Sequence, residues 1–337
     1  MRAAKFLGIG EVETGEAPVP KVRPGTALIE VKACGVCGTD VHILKGEFPA
    51  EFPVIPGHEL CGLVREVGEG VGIVKPGDFA VVDPNIVCHL CEQCREGRRH
   101  LCVNLKNYGI EVDGGFAEYI LVGEREIIPV PEMGAGTYEH YALSEPVGCC
   151  LHGLGQAQIT AGDTVVVMGA GPIGLIMTQL VRMRGPARLV VVEPVEMKRA
   201  LAKSLGADEV CGPEALPTEG HPGDLYHAAD VAFDCAGKEA SARALVSLLR
   251  DGGRGIFFGV CAPEDTVTMH PYEIYRRELT LRGSFTKAWT LLDAVALIGA
   301  GKVNLAPLIS NRYAVEDFPA ALSRCGAPDT IKNMVVF

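Results

Sequence analysis

Four thiols fall within fifteen residues of one another: Cys88, Cys91, Cys94 and Cys102. Thiolates at this spacing can close a tetrahedral Zn²⁺ shell with no position left for substrate, so the chemistry they suggest is structural. An iron–sulfur cluster is the rival for three close cysteines and a more distant one, and the spacing to Cys102 favours zinc. Simple core cysteines are a poor alternative, because Glu92, Gln93, Arg95, Glu96, Arg98 and Arg99 lie between them and are too polar for a buried strand.

A second set is dispersed. Cys37 lies within Gly35-Val36-Cys37-Gly38-Thr39-Asp40-Val41-His42, His58 and Glu59 follow Gly57, and Glu145 precedes Pro146. One Cys, one His and one carboxylate suit a zinc whose fourth place is kept for water or substrate. Singly, each has a plainer alternative: a buried thiol, a hydrogen-bonded core histidine, an acid at a helix N-terminus.

A third set is rich in glycine. Val165-Val166-Val167-Met168 runs into Gly169-Ala170-Gly171-Pro172-Ile173-Gly174, a G-x-G-x-x-G between strand and helix. The first Gly permits the tight turn, the second lets backbone approach a pyrophosphate, and the third lets helix and strand pack closely. Glu193 lies nineteen residues beyond Gly174, where an acid accepts from ribose hydroxyls. With Glu196 it repels the extra phosphate of NADP. Lys198 is a further cofactor-binding candidate, and with Arg199 it lies close enough to keep NADP open. The plainer alternative, solvated residues on the first turns of a helix, is preferred, so NAD is the expected cofactor and NADP the less favoured one.

These residues need scaffolds of two kinds. From Met1 to about Gly123 the chain reads as short strands punctuated by Gly and Pro, with candidates at Ala27–Lys32, Leu63–Val67 and Phe79–Val82. The texture changes near Tyr138. Strands at Thr164–Met168, Leu189–Glu193, Val231–Cys235 and Gly255–Val260 alternate with helices at Ile173–Arg184, Pro194–Leu205 and Glu239–Leu249. That alternation implies a doubly wound parallel sheet covered by helices on both faces, giving an α/β fold class overall. After Ser284 only one helix stands out, Leu291–Gly299, before the apolar end Met334–Phe337.

Bulk properties narrow the partners. The 337 residues suit about two domains, with 48% hydrophobic and 22% charged residues. A net charge of −11 repels phosphate backbones and anionic headgroups, which argues against nucleic acid and membrane partners. Met1–Gly10 lacks an apolar signal-like run, and the thirteen cysteines are odd in number. A cytoplasmic protein with metal thiolates is therefore expected rather than a disulfide framework.

Taken in order, GVCGTDVH at Gly35–His42, PGHE at Pro56–Glu59, CHLCEQCREGRRHLC at Cys88–Cys102, DGGFAEY at Asp113–Tyr119, SEPVGCCLHGL at Ser144–Leu154 and GAGPIG at Gly169–Gly174 resemble the zinc-containing medium-chain dehydrogenase/reductase family. The likeness is to its polyol (sorbitol, xylitol, arabinitol) and threonine dehydrogenase branches, over essentially the whole chain. The resemblance implies a GroES-like, mainly β catalytic domain carrying both zinc sites over 1–145, a Rossmann nucleotide domain over 146–284, and a return to the catalytic domain over 285–337. It implies that Cys37 and His58 ligate the catalytic zinc. Glu145 would take the third place, as glutamate does in the polyol branch, and Glu59 would approach the metal directly or through water. Animal-type sorbitol dehydrogenases carry Arg-Tyr after a Phe near the final segment. Here the residues are Phe285-Thr286-Lys287, so the polar wall of the pocket is expected to differ.

The expected reaction is oxidation of a secondary alcohol of a polyol, sugar alcohol or cyclitol, a small-molecule substrate, with hydride passing to NAD. Zinc would stabilise the developing alkoxide, Thr39 and His42 would relay its proton, and Asp40 would orient His58. A threonine 3-dehydrogenase or a diol dehydrogenase is the alternative within the family. A catalytically silent zinc- and nucleotide-binding protein is the alternative of another class. The intact zinc ligands argue against a zinc-free quinone or enoyl reductase. The family also implies a homodimer or homotetramer, with a nucleotide-domain edge near Ser284–Thr286 as the candidate contact.

Overall fold

Apolar and small residues dominate Thr26–Gly35, and they build a ten-residue strand at the centre of a seven-stranded sheet. The computed structural model describes residues 1–217 and 223–337. In sheet order the strands are Ile309–Tyr313, Lys332–Val336, Thr26–Gly35, Glu59–Val67, Phe79–Val82 and Ile127–Pro129, and Tyr119–Gly123 also pairs with Thr26–Gly35. The last strand of the chain joins the first half directly, with Val336 opposite Ala33 and Met334 opposite Gly35. Phe318, from the same tail, packs on Phe116 with ring centroids 4.3 Å apart and on Phe6 at 6.0 Å. These contacts draw the two ends of the chain into one unit, Met1–Gly148 with Lys287–Phe337.

The second unit is Cys149–Thr286. Its six parallel strands lie in the order Glu209–Cys211, Arg188–Val192, Thr164–Met168, Ala229–Asp234, Leu249–Phe257 and Thr280–Gly283. Numbered within the unit, that is 3-2-1-4-5-6, the Rossmann order. Thr164–Met168 and Arg188–Val192 are buried apart from their first residues, as strands covered on both faces must be. The architecture is thus a GroES-like mainly β unit and a Rossmann unit, an α/β chain.

Several elements depart from the sequence reading. The strand expected at Gly255–Val260 spans Leu249–Phe257, because a register shift between Ala229 and Val231 absorbs the Asp251-Gly252-Gly253 turn signal. The helix Ser144–Ala157 is hidden in the sequence by three glycines. Lys198 is buried rather than solvated, and Arg199 donates to the Glu193 and Pro194 carbonyls, both at 2.7 Å. Among the described residues no helix is long and apolar enough to cross a membrane.

Candidate active site

The turn that delivers His58 is built on glycine. Gly57 has φ of +102°, a conformation that side chains disfavour, and a Cβ there would lie 2.8 Å from Cys34 Sγ and 2.9 Å from Phe116. The Asp113–Tyr119 segment closes over this turn. Asp113 Oδ1 accepts from Ile55 N at 2.9 Å, and Gly115 N and Phe116 N donate to the Gly57 and Pro56 carbonyls at 2.8 and 3.0 Å. His58 emerges buried, and Glu59 opens the next strand directly opposite Gly35. Gly35 must be bare, since its Cβ would stand 2.2 Å from Glu59 Oε2.

Two residues past Gly35, Cys37 caps the helix Gly38–Lys45, and its N–H donates to Asp40 Oδ2 at 2.8 Å. Thr39 sits inside the first turn, with Oγ1 3.6 Å from Cys37 Sγ. His42 lies three residues further, on the same helix face, with its side chain 37% exposed and Nδ1 2.6 Å from Glu47 Oε2.

These elements bring donor atoms of Cys37, His58 and Glu59 within 4.8 Å of one another. Zinc bonds of roughly 2.0–2.3 Å need little further contraction. Burial pulls the His58 imidazole down, but Cys37, Asp40 and Glu145 outweigh it, and His58 is pushed up to about 10. Burial pushes Asp40 up to about 6 against the pull of His58. His58 Nδ1 and Asp40 Oδ1 stand 3.6 Å apart, and each is buried without a hydrogen-bond partner. The expected Asp40–His58 bond is thus approached but not closed in this geometry. A thiol, an imidazole and carboxylates gathered out of water, with orphaned polar atoms among them, form a donor set that a divalent cation fits.

Two lysines complete the site, and spacing alone does not reveal either. Lys332 Nζ lies 2.7 Å from both Glu59 oxygens and 3.0 Å from the Val36 carbonyl; burial works against its charge, and Glu59 more than restores it. Its one sequence signal is a lysine opening the strand Lys332–Val336 ahead of the apolar Met334–Phe337 end. Glu145 stands at the second position of Ser144–Ala157, and its Oε1 accepts from the buried Lys287 Nζ at 3.1 Å. The Glu145 charge acts on His58, but its carboxylate is not one of the three converging donors.

The four cysteines expected to form the second metal site also converge. Donor atoms of Cys88, Cys91, Cys94 and Cys102 lie within 4.8 Å of one another, with the Cys102 and Cys88 sulfurs 3.5 Å apart. Backbone N–H groups of Leu90 and Cys91 draw the Cys88 thiol down to about 6, whereas burial and neighbouring sulfurs push Cys94 up to about 12. Four clustered thiols resist ionising together unless a cation compensates them. The helix inside the loop, Glu92–Arg95, buries no residue, and Leu90 and Val103 are exposed. A loop without a core of its own is the kind that a bound metal holds.

In the second unit, Gly169 turns the chain with φ of +96°. A Cβ at Gly174 would stand 1.8 Å from the Gly169 carbonyl oxygen, so helix and strand meet there backbone to backbone. A Cβ at Gly171 would meet nothing within 4 Å, which leaves open the space above the N-terminus of the helix Pro172–Met183. Pro172 and Ile173 form its first turn. Glu193 Oε2 accepts from Ala170 N at 2.7 Å and Oε1 from Val195 N at 3.0 Å, so the acid is tied to the glycine loop. This cradle fits the pyrophosphate of a dinucleotide.

Comparison with known proteins agrees with both units. Residues 23–132 match the alcohol dehydrogenase GroES-like domain and residues 172–298 the zinc-binding dehydrogenase domain. The chain is 36% identical to D-altritol 5-dehydrogenase of Agrobacterium fabrum, over 98% of each chain. It is 32% identical to D-arabinitol dehydrogenase 1 of Uromyces fabae, over 95% of this chain and 92% of that one. The NADP-bound crystal structure of a Sinorhizobium meliloti protein superimposes with a TM-score of 0.94 at 36% identity, covering 100% of this chain and 99% of the other. Ligand geometry, nucleotide cradle and full-length relatives agree: the chain belongs to the zinc-containing medium-chain dehydrogenase/reductase family, the zinc-binding alcohol dehydrogenases.

Proposed function

We propose that this chain oxidises a secondary alcohol of a polyol to a ketone with NAD as hydride acceptor. The observation that carries the reading is the convergence of Cys37, His58 and Glu59 with the Thr39 hydroxyl alongside. The D-altritol and D-arabinitol dehydrogenases among its relatives support a polyol, as does a glutamate at position 145.

Cys37, His58 and Glu59, whose donor atoms converge, would hold the catalytic zinc, with Glu145 beside them as the further candidate ligand, and Cys88, Cys91, Cys94 and Cys102 would hold the structural one. A zinc ion so held supplies Lewis acidity at the alcohol oxygen, lowering the pKa of its proton. Thr39 relays that proton along its helix face to His42, whose partial exposure and Glu47 partner suit release to solvent. Asp40 orients the His58 ring. Gly169, Gly171 and Gly174, with Pro172 and Ile173 opening the helix, cradle the cofactor pyrophosphate. Glu193 faces the ribose hydroxyls, and Lys198, buried in the helix that follows, is the further cofactor-site candidate.

A second reading, NADP in place of NAD, is favoured by the NADP-bound relative and by Arg199 beside Glu193. We also propose a homo-oligomer, dimer or tetramer, contacting near Ser284–Thr286; the edge strand itself is Thr280–Gly283 and ends just before that segment. The thirteen cysteines, four of them clustered at metal-binding spacing, suit a reducing compartment such as the cytoplasm. Initial rates over altritol, arabinitol, xylitol, sorbitol, a cyclitol, threonine and a vicinal diol, each with NAD and NADP, test the reading. A polyol with NAD should lead. Threonine or a diol in first place would replace the polyol assignment.

A further inference from the structure

We propose that Lys287 is a positioning residue for this reaction, its buried ammonium anchoring the Glu145 carboxylate rather than binding substrate. The inference rests on the zinc dehydrogenase reading above. Lys287 is 1% exposed, although it lies at the place where a polar wall for substrate is expected. An ammonium has three N–H donors. Glu145 Oε1 at 3.1 Å, Asn85 Oδ1 at 3.2 Å and Asp83 Oδ1 at 3.5 Å surround this one, so its hydrogen-bonding capacity is spent inside the protein.

The anchor is itself braced. Asp83 is shared with Arg99, whose guanidinium lies 3.1 Å away and also donates to the Asn85 carbonyl at 3.2 Å. Asn85 N holds Asp83 Oδ1 at 3.0 Å, and the Trp289 ring covers the guanidinium at 4.7 Å. Two carboxylates and two cations, each at most 9% exposed, form a buried cluster, with the buried Glu126 carboxyl acting on Asp83 and Arg99 beside it. Each charge in such a cluster depends on its partners for orientation, because removing one leaves another uncompensated. Arg99 belongs to the loop between Cys94 and Cys102, so the Glu145 anchor ends on the four-cysteine loop.

The test compares wild type with Lys287→Met, Lys287→Arg and Asn85→Ala. For each, kcat and KM are measured on the preferred polyol, with the visible spectrum of the cobalt-substituted protein and its thermal melting. Partners of metal-ligating groups matter by about 10–100-fold. Lys287→Met should lose kcat on that scale with KM little changed and an altered cobalt band. Lys287→Arg should recover part of the loss. Asn85→Ala, which keeps every charge, should lose less in the same direction, and it carries the test if Lys287→Met does not fold. A raised KM with kcat preserved would overturn the proposal by making Lys287 a substrate-binding group. So would unchanged kcat and cobalt spectrum in folded Asn85→Ala or Lys287→Met. A wild-type protein with no metal-dependent turnover would instead remove the functional reading, and the proposal with it.

Discussion

Glu193 joins local structure to specificity in a single side chain. Both carboxylate oxygens accept backbone N–H groups, one of them inside the glycine loop, so the charge is fixed where a ribose would lie and a 2′-phosphate would be repelled. Arg199 donates to the Glu193 carbonyl rather than pointing into water, and its charge tempers that repulsion. A charge-assisted hydrogen bond contributes about 1.5–3 kcal/mol. Glu193→Ala should therefore raise KM for NAD by about tenfold or more while penalising NADP less, so the preference between cofactors falls. Steady-state kinetics with both cofactors reads this, and an unchanged preference would mean that specificity is set elsewhere. Such a residue is legible in sequence because its distance from the glycine motif is fixed by one βαβ unit. Lys287 and Lys332 are not, because their partners Glu145 and Glu59 lie 142 and 273 residues away.

Among the elements, the parallel sheet is the part most plainly written in the sequence. Strands buried on both faces become runs of valine, and Thr164–Met168 falls where the pattern puts it. The first unit is harder to read. Its strands are short or carry charge, as in Glu11–Glu16, which buries no residue, and Ser144–Ala157 conceals a helix behind glycines. The four-cysteine loop is the opposite case, with ligand spacing evident and no apolar pattern at all. Because its helix Glu92–Arg95 buries nothing, its order should depend on metal. Cys91→Ser should cost the structural ion and expose residues 88–102 to limited proteolysis, with the Rossmann unit still protected. Equal resistance to cleavage in wild type and variant would show that packing alone holds the loop.

Across the whole molecule two donor clusters of opposite character stand out. A set of four thiols would close a metal's shell by itself, and a mixed set of thiol, imidazole and carboxylate would leave a coordination place for substrate. The first unit holds both, and the second supplies the nucleotide cradle. The most direct test counts zinc per chain in wild type and Cys37→Ser, and follows polyol-dependent NADH formation and NAD binding in each. Wild type should hold two zinc ions, one for each donor cluster, and the variant one, with turnover abolished and NAD still bound. Turnover that survives Cys37→Ser, or a zinc count that does not fall, would contradict the two-site assignment.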